Sequence, residues 1–522
     1  MAKREIWSGS GTGVWLSGII LAGLFLRVYY LNGLIGSDDM FHAIAVLDIL
    51  ENGFSLPAGH HAARFGLFLP AMPVFAAFGL GDWQMAITPL LWSILSIFLA
   101  YWLGAYCLGR QGGLLAALMV AVFPLDIQQA TRFYPDLPMG VCSALSVFVF
   151  LAAERYERRT LGAVLAGLIW GYAYLIKIEA AFLGFAYLAL LIEDRRRFAS
   201  IVVAGLCALA IVAIENAIYY SETGTLFYRL TNIVDNVKTR ESASMRSLWA
   251  FPKSWFVTFY EFGLQYYLFF LGLALALLRR KTNLLLPAMW SLAMLAWLQF
   301  GFNPMAEFSG FKTHLSRYCS MISVPVAIVS AYVFLFFQPY LHRFLVPLAV
   351  AGTVAVALFM ANFNSLSLER QISTKIALRE AERNNWFPLY LDSYSYKFAQ
   401  FIWRDTSRAN QLHTLQDHDL TAGKTTLVDL NAVDGYVLVN QDSMRFRLDR
   451  YFEQPVDVSA AEQMGPRVFS VDNPLGALAY LQARFFLLAA KAVPPVGQLF
   501  GDTARHILQG EEVLVIDLRK NQ

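Results

Sequence analysis

The chain has 522 residues, of which 57% are hydrophobic and 15% charged, with a formal net charge of +3. A soluble domain carries about 25% charged residues, so this composition excludes an ordinary water-soluble globule and points to a bilayer. The small net charge without a long basic run excludes a nucleic-acid-tracking surface. Four cysteines without paired spacing (Cys107, Cys142, Cys207 and Cys319) exclude a zinc cluster or a disulfide framework.

Lys3 and Arg4 precede an apolar stretch from Val14 with no small-residue cleavage site after it, which predicts a retained first helix. Eleven membrane passages are expected from length and apolarity, at 14–32, 87–108, 112–125, 137–153, 161–176, 179–192, 199–220, 255–278, 284–301, 319–337 and 344–361. Three basic blocks, Arg155/Arg158/Arg159, Arg195/Arg196/Arg197 and Arg279/Arg280/Lys281, each follow an even-numbered passage. Short basic loops stay cytoplasmic. The amino terminus is therefore expected inside, and the residues after the last passage outside. Leu161–Ile192 is flanked by two of these blocks and is too long for one span and too short for two full ones. It must go out and back as two short helices broken near Lys177–Glu179. Broken backbone at that depth implies cover by protein or a watery cavity.

Composition changes near Asn362. Beyond it, short strand-like runs at Phe387–Leu391, Thr426–Leu430, Tyr436–Val439, Phe485–Leu488 and Val513–Leu518 alternate with helical stretches such as Ser393–Trp403. The expected fold class is a polytopic α-helical membrane protein with a carboxy-terminal extracytoplasmic α/β domain. Residues 1–361 form the membrane domain and 362–522 a soluble periplasmic domain, of ordinary single-domain size.

The polar residues that invite a chemical reading fall in the expected outer loops. In Gly36-Ser37-Asp38-Asp39-Met40-Phe41-His42, Ser37 reads as an N-cap with both acids in the first helical turn, where acids favour the helix dipole. A carboxylate there is also placed to deprotonate an acceptor hydroxyl. His60-His61 suggests metal ligands, but adjacent side chains do not face one another and two ligands do not complete a site. Arg64 sits just before the apolar run Phe65–Leu80, where its fork suits a phosphate; an interfacial arginine reaching lipid headgroups is the plainer reading. In Arg132-Phe133-Tyr134-Pro135-Asp136-Leu137-Pro138, the prolines predict a turn into a helix that starts at Asp136. Lys177 and Glu179 lie amid apolar residues at the hairpin break and must pair with each other or face a cavity. In Lys312-Thr313-His314-Leu315-Ser316-Arg317-Tyr318, Arg317 enters a span as a membrane anchor or as a second phosphate clamp.

The series resembles the GT-C glycosyltransferases, in particular the protein O-mannosyltransferase and lipid A aminoarabinose transferase group. Asp38-Asp39-Met40-Phe41-His42-Ala43 resembles their first-loop acidic motif. Arg64-Phe65-Gly66 stands where the group has Lys-Pro-Pro, and Asp39 stands where it has glutamate. Tyr134-Pro135-Asp136-Leu137-Pro138, Ile176-Lys177 and Arg317-Tyr318 resemble later motifs, in the same order. The resemblance spans about residues 10–340. It implies an inverting transfer from a polyprenyl-phosphate sugar to a glycolipid, glycan or protein acceptor at a bacterial inner membrane, with the site periplasmic. By that analogy Asp38 is the base, supported by Asp39 and Asp136. Arg64, Lys177, Arg317 and His314 bind the donor phosphate, and no metal or other cofactor is required. A transporter would also explain the spans, but repeats between halves are not evident and the ionisable residues gather at one face rather than the midplane. A polysaccharide polymerase or O-antigen ligase, and a sensor whose outer domain binds a ligand, are the other competing readings.

Overall fold

The computed structural model describes residues 10–31, 33–36, 38–54, 63–232, 252, 255–256, 261–300, 316–366, 372–404, 406–419, 424–440, 458–471, 477–492 and 513–519. The chain divides into two compact units. One comprises Met1–Leu34 with Phe41–Asn364, and the other Ile35–Met40 with Ser365–Gln522.

The first unit is helical, as a chain in lipid must be when each segment has to satisfy its own backbone donors and acceptors. In chain order its elements are α1 (Ser10–Tyr29), α2 (Asp38–Asn52, whose first three residues count with the second unit), α3 (Phe65–Phe68), α4 (Met72–Phe78), α5 (Asp82–Val122), α6 (Pro124–Gln129), α7 (Asp136–Arg155), α8 (Arg159–Ile176), α9 (Gly184–Glu193), α10 (Phe198–Thr223), α11 (Gln265–Leu278), α12 (Leu285–Phe300), α13 (Ser323–Phe337) and α14 (Leu345–Leu366). Among the described residues, eight helices are long and apolar enough to cross a membrane. The two passages expected at 87–108 and 112–125 run together as α5, divided by a kink at Gly109 with φ 79°, a conformation open to glycine at little cost. The passage expected at 179–192 opens as a 3-10 helix, Ile178–Leu183, before α9. A second 3-10 helix, Ser316–Ile322, leads into α13.

Enclosure separates centre from rim. The most apolar window of Ser316–Phe337 is 83% buried and that of Asp136–Arg155 72%, against 17% for Arg195–Thr223. Central helices therefore carry Ser, Gly and Ala contacts, while Trp15, Phe25, Leu206 and Leu209 stand exposed, an apolar rim that suits acyl chains. Gly140 fixes one central contact. A Cβ there would strike the Met321 carbonyl, so only glycine lets α7 lie directly against Ser316–Ile322.

In the second unit α15 (Ile372–Arg383), β1 (Leu389–Leu391), α16 (Ser393–Ile402), β2 (Leu412–Thr414), β3 (Gln416–Asp419), β4 (Lys424–Leu427), β5 (Tyr436–Asn440), α17 (Val458–Met464), β6 (Arg467–Val471), α18 (Ala477–Ala492) and β7 (Val513–Asp517) follow in turn. The main sheet has the order β2-β1-β5-β7-β6, and β3 pairs with β4 separately. β1 runs parallel to β2 and β5, and β7 antiparallel to β5 and β6. The β1–α16–β2 stretch is a βαβ crossover, which parallel neighbours require. Val437, Val439 and Ile516 anchor its apolar core. The strand expected at Phe485–Leu488 is instead the middle of α18. A short apolar run does not reveal its period, and flanking Ala, Leu and Gln favour helix.

Candidate active site

The helix break at Lys177 is the centre of the site in the first unit. α8 ends at Ile176, and Lys177 is extended (φ −156°, ψ 134°) before the 3-10 turn begins. The Trp170 indole donates to the Ala180 carbonyl at 2.8 Å, which pins that turn back on α8. On the other side lies α3. The Tyr172 hydroxyl donates to the Gly66 carbonyl at 2.6 Å, and a Cβ on Gly66 would come within 2.6 Å of the Ile176 nitrogen. Glycine at 66 thus permits a close backbone approach that carries Arg64, the residue preceding α3, to the neighbourhood of Lys177. Their like charges oppose each other there.

Lys177 Nζ lies 2.6 Å from Asp136 Oδ1 and 3.7 Å from Glu179 Oε1. It also sits 3.9 Å from the centre of the Tyr318 ring and 3.8 Å from Met321 Sδ. Asp136 is the first residue of α7, where the helix dipole favours its charge. Its second oxygen faces Arg317 Nε at 3.6 Å. The Arg317 guanidinium lies over the Tyr134 ring at 4.4 Å and near the Tyr318 ring at 5.7 Å. Asp136, Lys177 and Glu179 are buried and Arg317 partly so. Charges so enclosed persist only when paired and hydrogen-bonded. Three cations and two carboxylates thus share one enclosed region.

The ends of the helices give the cluster a side. α7 runs from Asp136 to Arg155, and α8 from Arg159 to Ile176. The cluster therefore occupies the helix ends opposite the basic turn between α7 and α8. At the basic end, Arg197 binds Glu193 at 2.6 Å and Glu154 at 3.0 Å, a tie between helix ends.

Asp38 and Asp39 open α2 in the stretch that belongs to the second unit. Asp39 is buried and accepts the Ile35 N–H at 2.7 Å, whereas Asp38 is partly exposed. Later in the same helix, His42 Nδ1 donates to the Phe133 carbonyl at 3.0 Å, holding the loop that leads to Asp136. Ser37, His60, His61, Lys312 and His314 lie outside the described residues. Among the described residues no group of three or more His, Cys, Asp or Glu side chains is placed to hold a metal ion.

Sequence reasoning does not single out Asp126, Glu215 or Arg229. Asp126 is buried in α6 and accepts the Ser323 hydroxyl at 2.5 Å. Burial pushes its carboxyl up to about 7, against the downward pull of Ser323 and of the Arg27 guanidinium. Glu215 pairs with Arg229 at 2.9 Å. The available signal was Glu215 itself, an acid inside an apolar span that needs a partner.

Fold and site together define a multi-pass helical membrane protein with a charged cluster enclosed at a helix break. Residues 71–220 match the family model for dolichyl-phosphate-mannose-protein mannosyltransferase. Among solved structures, ArnT from Cupriavidus metallidurans in the apo state aligns with a TM-score of 0.55 at 15% identity, over 84% of this chain and 95% of that one. ArnT bound to undecaprenyl phosphate aligns with a TM-score of 0.54 at 14% identity, over 84% and 95%. The archaeal oligosaccharyltransferase AglB from Archaeoglobus fulgidus, in complex with an inhibitory peptide and a dolichol-phosphate, aligns with a TM-score of 0.51 at 14% identity, over 88% and 74%. No curated protein sequence matches the chain.

Proposed function

We propose that this protein transfers a sugar, with inversion, from a polyprenyl-phosphate donor to an acceptor on the outer side of a bacterial-type inner membrane, with its carboxy-terminal unit also on that side. The observation that carries this reading is the cluster of buried Asp136 and Lys177 with the partly buried Arg317 at a helix break, at helix ends opposite the basic turns. Basic turns mark the cytoplasmic face, so the cluster belongs to the other one. Solved relatives in fold that hold undecaprenyl phosphate or a dolichol-phosphate support the choice of donor.

Lys177 and Arg317, with Arg64 nearby, bind the donor phosphate by charge-assisted hydrogen bonds. Asp136 holds the two cations in place until the phosphate arrives and shares them afterwards. His314 joins the phosphate contacts by resemblance of its motif. The bond between the anomeric carbon and the phosphate oxygen breaks, and the polyprenyl phosphate leaves with the electron pair. Cations fixed beforehand at that oxygen stabilise the charge it gains. The acceptor hydroxyl forms the new bond and gives its proton to Asp38. This role for Asp38 rests on the motif resemblance and on its partly exposed place in the first turn of α2, while the buried Asp39 fixes that turn through Ile35. The reaction needs no metal or other cofactor. The acceptor is a glycolipid, a glycan or a protein.

The test uses the full chain in lipid nanodiscs. Undecaprenyl phosphate, the expected product, should raise the unfolding temperature in proportion to its binding. A panel of undecaprenyl-phosphate sugars should include one that is consumed. Protein that neither binds this lipid nor consumes any such sugar would refute the reading.

A further inference from the structure

We infer that Arg229 is a positioning residue that sets the α8 break and thereby aims Lys177; its catalytic relevance, though not its structural part, rests on the donor-site reading above. Three groups converge on its guanidinium. Nη1 donates to the Tyr174 carbonyl at 2.8 Å and to Glu215 Oε1 at 2.9 Å, and Nη2 donates to the Ile176 carbonyl at 3.1 Å. Arg229 and Glu215 are both buried. The guanidinium also lies 5.5 Å from the Tyr174 ring.

The last carbonyls of a helix have no intrahelical donor. When α8 stops at Ile176 inside the protein, those of Tyr174 and Ile176 would be orphaned at a cost. A cation at a helix carboxyl end meets both the orphaned acceptors and the dipole. Arg229 serves as that cap from a segment distant in sequence, and Glu215 on α10 fixes its fork. The same support reaches the other side of the site. The Tyr219 hydroxyl donates to Glu215 at 3.3 Å, and the Tyr219 ring stacks on Phe65 at 5.9 Å between centroids. Phe65 directly follows Arg64. One buried pair thus braces both the chain that carries Lys177 and the chain that carries Arg64. Lysine cannot replace this arginine, because a single ammonium offers no planar fork to two carbonyls and a carboxylate at once.

The test compares wild type, Arg229→Lys, Glu215→Gln and Lys177→Met in nanodiscs. Hydrogen exchange is followed by mass spectrometry on peptides covering 172–183, with 139–150 as the internal control, and undecaprenyl phosphate binding is measured on each. In Arg229→Lys we expect faster exchange at 172–183 alone and lipid binding weaker by about tenfold, which is about 1.4 kcal/mol. In the Lys177→Met background the same change should weaken binding by less than about twofold, since coupled residues do not add. Glu215→Gln should shift exchange in the same direction. Unchanged exchange at 172–183 in both Arg229→Lys and Glu215→Gln overturns the positioning role, as does full additivity with Lys177→Met. Wild-type binding by Lys177→Met instead removes the donor-site reading, and the exchange result then judges Arg229 by itself.

Discussion

Lys177→Met is the most informative substitution in the site. Methionine approximates the length of lysine but carries no charge and no donors. The variant loses the 2.6 Å pair with Asp136, the 3.7 Å approach to Glu179 and the contact with Tyr318. Breaking a buried pair from one side costs about 3–5 kcal/mol, because the partner is left buried with its charge. Here Arg317 still faces the second oxygen of Asp136 at 3.6 Å, so the lower end, about 3 kcal/mol, applies. The catalytic loss has a separate origin. Removing one donor fixed at a developing anion costs about 2.7–4 kcal/mol, or about 100- to 1,000-fold in kcat. The assay is turnover of the productive undecaprenyl-phosphate sugar in nanodiscs, alongside thermal unfolding with and without undecaprenyl phosphate. Three results are expected together: lower stability, a weaker shift by the lipid, and the stated fall in kcat. A variant within twofold of wild type in both lipid binding and turnover would refute this expectation.

Asp38→Asn should lower kcat by about 100- to 10,000-fold, the range of general-base catalysis, while the protein still purifies as a folded species, since Asp38 is partly exposed; wild-type turnover with the true donor would remove it from the role. Gly140→Val should drive α7 away from Met321 and destabilise by about 1–3 kcal/mol, as overpacking does, read as a fall in Tm. Asp126 supplies a pH test. Burial raises its folded carboxyl to about 7 from an ordinary 3.8, so its contribution to stability is full below the unfolded value and is lost as pH rises through about 7. Asp126→Asn should therefore flatten the decline of Tm between pH 5 and pH 8; a parallel decline in both proteins would contradict the assignment.

The spans were legible because apolar length is a strong signal, and the turn at Lys177 because two basic blocks flank a stretch of awkward length. What apolarity could not show was the form of the backbone inside a span. The positive-φ glycine at 109 and the 3-10 turns at 178–183 and 316–322 depend on local packing rather than composition. The partner of Lys177 was similarly hidden. Glu179 is two residues away in sequence, yet the shorter contact is to Asp136, 41 residues distant, and nothing local announces a pair that only the α7–α8 hairpin creates. Arg229 was invisible for the same reason, although Glu215, an acid buried in a greasy helix, called for a cation somewhere. In the second unit Phe485–Leu488 misled because four apolar residues suit either period, and α18 was decided by the helix formers around them.

The central claim is that the lipid-linked phosphate binds at the α8 break. Its most direct test is the structure of the full chain in nanodiscs with undecaprenyl phosphate. The account predicts phosphate density in contact with Lys177 Nζ and the Arg317 guanidinium. Prenyl-phosphate density held elsewhere, with the Lys177–Asp136 pair closed and untouched, would contradict it.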